Sequence, residues 1–203
     1  MIKPIIACDI DDVKFPFIPK FCNFHNRVYG TRIRLSSRNF HTYQISDVLR
    51  TSVEESVKRI EEYLHSEEFL TAQPMEGTQD AIEHLSSDFR IISVTARRDC
   101  YMQVTNEWIA HFFPQIEEIH FSHNHYAYAG DRKTKAEICK EKNAQFLIED
   151  SGDYALQVAE SGTPVYLFDQ PWNQGLEYEN ITRVFNNGKG HWSNLLNIVY
   201  KDI

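Results

Sequence analysis

Short apolar runs separated by longer amphipathic stretches set the pattern of this chain. Pro4-Ile5-Ile6-Ala7-Cys8 is apolar throughout and reads as a buried strand. Phe89 to Val94, Ile119-His120-Phe121, Phe146-Leu147-Ile148 and Pro164 to Phe168 repeat the signal, the last being the final clear strand. Helical spacing fills the gaps: Lys20 to Tyr29 with Gly30 as its stop, a short start at Ser46 to Leu49, and Gly77 through Leu85. Thr51 or Ser52 is placed to cap a helix that carries Val53, Val57, Ile60, Tyr63 and Leu64 on one face, with glutamates in its first turn. Asp99 to Phe112, Thr134 to Asn143, and Tyr154 to Ser161 with Gly162 as its stop complete the helices. This alternation predicts an α/β fold, a parallel sheet flanked by helices and joined by right-handed crossovers. The spacing is uneven, because Lys14 to Asp88 is mostly helical. That stretch reads as a small helical cap inserted after the first strand, dividing the chain into a core of 1–13 and 89–203 and a cap of 14–88.

Composition narrows the partners. The 203 residues have a formal net charge of −8, which argues against a nucleic-acid polymer but not against a small anionic substrate, because a local cation can reverse the field at one site. The cysteines Cys8, Cys22, Cys100 and Cys139 are scattered and form no Cys-x-x-Cys pair, the usage of reduced thiols in a cytoplasmic protein. No run approaches membrane-spanning length, so no membrane partner is expected.

The chemistry gathers at strand ends. The first strand runs into Asp9-Ile10-Asp11-Asp12-Val13, and carboxylates so close repel one another unless a cation or a shared proton relieves them. At the mouth of an open α/β sheet, that points to Mg²⁺ and a phosphorylated substrate. Thr95, with Ala96 and Arg97 beside it, ends the second strand. Lys135 or Lys133 stands at a helix start, and Glu149-Asp150 end a later strand. Each type suits phosphoryl transfer. One carboxylate can attack phosphorus and another can shuttle the proton, a hydroxyl and an ammonium can hold phosphoryl oxygens, and further carboxylates can complete an oxygen shell for Mg²⁺.

In this order the motifs resemble those of the haloacid dehalogenase (HAD)-like hydrolase superfamily, whose core is Rossmann-like. Asp9-Ile10-Asp11-Asp12-Val13 matches its first motif, Thr95 its second, Lys135 in Lys135-Ala136-Glu137 its third, and Ile148-Glu149-Asp150 its fourth. Thr95-Ala96-Arg97, Trp108-Ile109, Leu147 to Ser151 and Pro171-Trp172-Asn173 are similar to the 5′(3′)-deoxyribonucleotidase family within it. The resemblance implies a Mg²⁺-dependent phosphomonoesterase with an aspartyl-phosphate intermediate, acting on a small phosphorylated metabolite such as a nucleoside monophosphate. Asp9 would be the nucleophile and Asp11 the general acid/base. Thr95, Ala96 and Lys135 would bind phosphate, and Phe17 and Arg97 would meet substrate. The Mg²⁺ ligands would be Asp9, Asp150 and Asp11, the last through its main-chain carbonyl. A second copy of the chain is a further candidate partner. The competing class is a protein that accepts or binds phosphate without turnover. The chain departs from the family where Asp12 replaces glycine and where Lys14 and Phe15 replace small or aliphatic residues. Asp12 would either repel phosphate or offer a further cation contact, and the sequence leaves both open.

Other features read more plainly. His120, His123 and His125 fit a solvated loop, Glu54, Glu55, Glu61, Glu62, Glu67 and Glu68 the wet face of cap helices, and Trp172-Asn173 a packed turn.

Overall fold

The structure, a computed structural model, describes residues 2–36, 38–124 and 132–201. Its centre is a parallel sheet of β1 (Ile5–Cys8), β2 (Arg90–Thr95), β3 (Glu118–Phe121), β4 (Leu147–Glu149), β5 (Val165–Phe168) and β6 (Ile181–Val184). The strand order is β3-β2-β1-β4-β5-β6. The chain reverses its direction of travel across the sheet between β1 and β4, which are neighbours with Ala7 opposite Leu147. Ligands of open α/β sheets bind outside the carboxyl ends of the strands at such a reversal.

Alternation along the strands splits the core between two faces. Ile6, Cys8, Ile91, Ile148 and Phe168 belong to one cluster, with apolar residues of α5 (Thr78–Ser86), α6 (Met102–Phe112) and α9 (His191–Val199). Ala7, Ile92, Val94, Leu147 and Leu167 belong to the other, with α7 (Lys135–Glu141) and α8 (Gly152–Glu160). Both faces are covered, which is why the strands read as continuous apolar runs.

Between β1 and β2 the chain forms α1 (Phe17–Tyr29), α2 (Ile45–Leu49), α3 (Val53–Leu64) and α4 (Glu67–Leu70) before α5. Helices α1, α3 and α4 pack on one another and α2 on α3, whereas α5 lies against β2 and α9. Ser52 caps α3, its hydroxyl accepting from Glu55 N–H at 3.2 Å. Gly30 closes α1 at φ 65°, a conformation glycine adopts without strain. Helix α1 starts three residues before the expected Lys20, at Phe17, and includes Pro19 in its first turn, where no backbone N–H is needed. Among the described residues, no helix is long and apolar enough to cross a membrane.

Two elements beyond the expected last strand correct the sequence reading. β6 is an edge strand of sequence Ile-Thr-Arg-Val, too polar to stand out as an apolar run. After it, α9 returns along the first face and buries Trp192, whose indole N–H donates to the Val13 carbonyl at 2.9 Å and whose ring meets Phe168 edge-on at 5.3 Å. The end of the chain thus holds the turn that follows β1. Trp192→Phe, which leaves that carbonyl unpaired, is expected to lower stability by about 1–3 kcal/mol. Urea unfolding measures this, and an unchanged midpoint would refute the role of the bond.

Candidate active site

Lys135 is the meeting point of the strand ends. It is the first residue of α7, whose start is fixed by a capping box: the Thr134 hydroxyl accepts from Glu137 N–H at 3.1 Å, and the Glu137 carboxylate accepts from Thr134 N–H at 2.7 Å. The lysine is 1% exposed, and its Nζ donates to Asp9 Oδ1 at 2.6 Å and to Glu149 Oε2 at 2.7 Å, with the Tyr154 ring 4.4 Å away. Burial opposes its charge, yet the two carboxylates hold it protonated well above the usual lysine range. Lys133, the other lysine considered for this position, pairs instead with Glu141 at the surface.

The carboxylates divide into two groups. Ligand oxygens of Asp9, Glu149 and Asp150, all buried, lie within 4.8 Å of one another. Glu149 is fully engaged, its second oxygen accepting from the N–H groups of Asp150 and Ser151. Asp150 is held by the turn after β5. Trp172 Nε1 donates to its Oδ2 at 3.0 Å, Asn173 Nδ2 donates to its main-chain carbonyl at 2.7 Å, and its Oδ1 is buried with no hydrogen-bond partner among the described residues. Burial and the charges of Glu149, Asp12 and Asp9 push the Asp150 carboxyl well above the ordinary range. Burial likewise lifts Asp9 to about 7; Lys135 works against this, and Glu149 and Asp11 add to it. A tight set of hard oxygens with one buried oxygen left over fits Mg²⁺.

Asp11 lies outside that set. Its carboxylate accepts from Arg97, Nη2 to Oδ1 at 2.7 Å and Nε to Oδ2 at 3.0 Å, and Arg97 also donates to the Thr105 hydroxyl at 3.1 Å. The guanidinium packs on the Phe15 and Phe69 rings at 4.6 and 5.2 Å, so Arg97 is a held partner of Asp11 as well as a wall of the cavity. Asp12 has a structural role. It sits at φ 53°, the left-handed conformation that glycine would adopt and that a short polar side chain tolerates. Its buried carboxylate accepts from Ile18 N–H at 3.0 Å, in the first turn of α1, and so caps that helix.

Asp9, Asp11, Ala96, Arg97, Lys135 and Glu149 line one cavity of about 150 Å³ together with Phe17 from α1, Ile45 from α2, and Val57, Ile60 and Leu64 from α3. Thr95 is fully buried behind Ala96, its hydroxyl accepting from Arg97 N–H at 3.2 Å. Phe17 is half-buried, with Tyr63 edge-on at 5.3 Å. Of the expected site residues, Asp9, Asp11, Phe17, Ala96, Arg97 and Lys135 line this cavity, whereas Thr95 and Asp150 do not and are chain neighbours of the lining residues Ala96, Glu149 and Ser151. The supports of Asp150 and the hold on Asp11 were not legible beforehand, although Pro171-Trp172-Asn173 carried a signal as part of the family resemblance. Of the histidines, His120 pairs with Glu118 at 2.9 Å, and His125 lies outside the described residues.

The sequence model of the family described as "5' nucleotidase, deoxy (Pyrimidine), cytosolic type C protein" matches residues 3–187. The chain belongs to this nucleotidase family. It is 28% identical over 170 residues to "Putative nucleotidase YqfW" of Bacillus subtilis (strain 168), covering 82% of this chain and 81% of that one. The fold is shared with a haloacid dehalogenase-like family hydrolase, SP0104 from Streptococcus pneumoniae, at a TM-score of 0.67, 14% identity and 98% coverage of both chains. It is also shared with the YfnB protein of Bacillus subtilis, in a structure bound to magnesium, at a TM-score of 0.60 and 13% identity, covering 98% of this chain and 100% of that one. As a member of the nucleotidase family this chain is a HAD-like hydrolase of phosphomonoesters, which sets aside the reading of a phosphate acceptor without turnover.

The raised Asp9 carboxyl has a measurable consequence in protein freed of metal by EDTA. Its folded value of about 7 exceeds the ordinary 3.8, so ionised Asp9 lowers stability above pH 7, and the penalty fades as pH falls toward 4. Asp9→Asn is therefore expected to melt a few degrees above the native protein at pH 8, on the scale of about 1 kcal/mol, with the gap closing at pH 5. A variant no more stable at pH 8 would overturn this electrostatic account.

Proposed function

We propose that this nucleotidase-family protein removes phosphate from nucleoside monophosphates through an aspartyl-phosphate on Asp9, with Mg²⁺ held by Asp9, Asp150 and the main-chain carbonyl of Asp11. The carrying observation is the buried Lys135 bridge between Asp9 and Glu149, beside an unpartnered Asp150 oxygen and under an apolar cavity. Bound there, Mg²⁺ would draw charge from the phosphoryl oxygens and lower the repulsion between carboxylates.

The chain's own residues do the rest. An oxygen of Asp9 attacks phosphorus as the bond to the leaving oxygen breaks, giving an acyl phosphate and an alkoxide. Asp11 gives that alkoxide its proton, then takes one from the water that cleaves the acyl phosphate, so that inorganic phosphate leaves and Asp9 is restored. Lys135, the Thr95 hydroxyl and the Ala96 main chain hold the phosphoryl oxygens and offset their developing charge. Arg97 holds the Asp11 carboxylate in a forked pair and so fixes the direction in which it can pass a proton. Within the insertion 14–88, α1 to α4 serve as the cap in this reading, while α5 lies against β2 and α9. Helices α1 to α3 bring Phe17, Ile45, Val57, Ile60 and Leu64 to the cavity, an apolar and aromatic lining suited to a base. Phe17 is the residue assigned to stack on it.

Hydrolysis of p-nitrophenyl phosphate is expected to require Mg²⁺, to stop in EDTA, and to fall by about 10³-fold or more in Asp9→Asn. Robust turnover by that variant would remove Asp9 as nucleophile. Phe17→Ala is expected to raise KM for a nucleoside monophosphate by about tenfold while leaving ribose 5-phosphate unaffected. Phosphate-release assays on the two substrates separate these outcomes, and equal effects on both would remove Phe17 from the base site.

A further inference from the structure

Lys14 has no part in the chemistry above, yet it is among the most deeply buried side chains of the protein, at 0% exposure. Its Nζ donates to the main-chain carbonyls of Cys8, at 3.0 Å, and of Asp9. Among the described residues no carboxylate lies within ion-pair distance of it. Two carbonyl dipoles alone do not compensate a buried ammonium.

The main chain it holds belongs to an acidic strand end. Asp9, Asp11, Asp12, Glu149 and Asp150 act on one another electrostatically at the ends of β1 and β4. Against these five carboxylates stand three cations: Lys135, Arg97 and Lys14. With all of them ionised the formal charge is −2, which one divalent ion brings to zero. Without Lys14 it would be −3. Lys135 is ion-paired with Asp9 and Glu149 and Arg97 with Asp11, whereas Lys14 sits behind the strand end on the main-chain carbonyls of Cys8 and Asp9.

We propose that Lys14 is an internal counter-cation of the acidic strand end, a positioning residue that holds the Asp9 backbone and lowers the affinity of the site for a divalent ion. The ammonium and a bound Mg²⁺ would repel each other through a dry interior, where charge screening is weak. Lys14 would keep the site folded before the metal arrives and keep the metal from binding too tightly. A residue that served packing alone would have no such effect on metal affinity. The inference rests on the proposed Mg²⁺ site, and the experiment separates the two.

The full-length protein is stripped with EDTA and titrated calorimetrically with MgCl₂, and melting is followed with and without the ion, for the native chain, Lys14→Met and Lys14→Gln. Met keeps the length without polarity, and Gln keeps a hydrogen-bond donor without charge. Both variants are expected to melt below the native protein in EDTA, to gain more from Mg²⁺ than it does, and to bind Mg²⁺ about tenfold more tightly. Should either be unfolded in EDTA, Mg²⁺ is expected to refold it, which circular dichroism reads. Equal or weaker Mg²⁺ binding by a folded variant, or a variant that Mg²⁺ does not refold, overturns the proposal. A native protein that binds no Mg²⁺ overturns the metal site itself.

Discussion

Like charges forced together at the ends of two neighbouring strands are the constraint on which this structure turns. β1 and β4 lie side by side where the sheet reverses, so Asp9 and the Glu149-Asp150 pair must share one buried space. Repulsion among them would open the sheet unless cations were fixed nearby. Lys135 meets the need most directly, and its place at the first turn of α7 depends on the Thr134 and Glu137 capping box rather than on the sheet. A helix start and a strand end, brought together by a crossover, thus set the electrostatics of the candidate centre.

The remaining polar groups are arranged around that constraint. Trp172 and Asn173 leave one Asp150 oxygen without a partner among the described residues, while Lys135 and main-chain N–H groups between them engage both oxygens of Glu149. Arg97 pairs with the Asp11 carboxylate and itself packs on the Phe15 and Phe69 rings. Asp12 points away to cap α1, so the helix that supplies Phe17 begins with its N-terminus fastened to the turn that carries Asp9 and Asp11. Fastening these elements together converts the position of a cavity wall into a property of the motif turn.

Much of this was legible in the sequence because it is local. Apolar runs of strand length, helical spacing and N-cap residues pointed to five strands and most of the helices between them, though not to α4, and polar residues at strand ends and at one helix start singled out Asp9, Thr95, Asp150 and Lys135. β6 escaped because an edge strand carries polar residues on its open side, and its sequence Ile-Thr-Arg-Val has no apolar run. Asp12 escaped for a different reason. A carboxylate in a glycine position invites comparison with the phosphate beside it, and nothing local says that its partner is the Ile18 N–H six residues on.

By itself the sequence determined the fold class, the family and the residue types of the centre, since each depends on short-range pattern and spacing. Only the tertiary structure decided how those residues divide the work. Asp9 meets Lys135 across 126 positions, Asp11 meets Arg97 across 86, and Trp192 reaches Val13 across 179. Such pairings are set by strand order and helix packing, and no periodicity along the chain encodes them. The acidic turn after β1 announced that cations were needed, and the packed fold decided that Lys135, Arg97 and the buried Lys14 would be the ones.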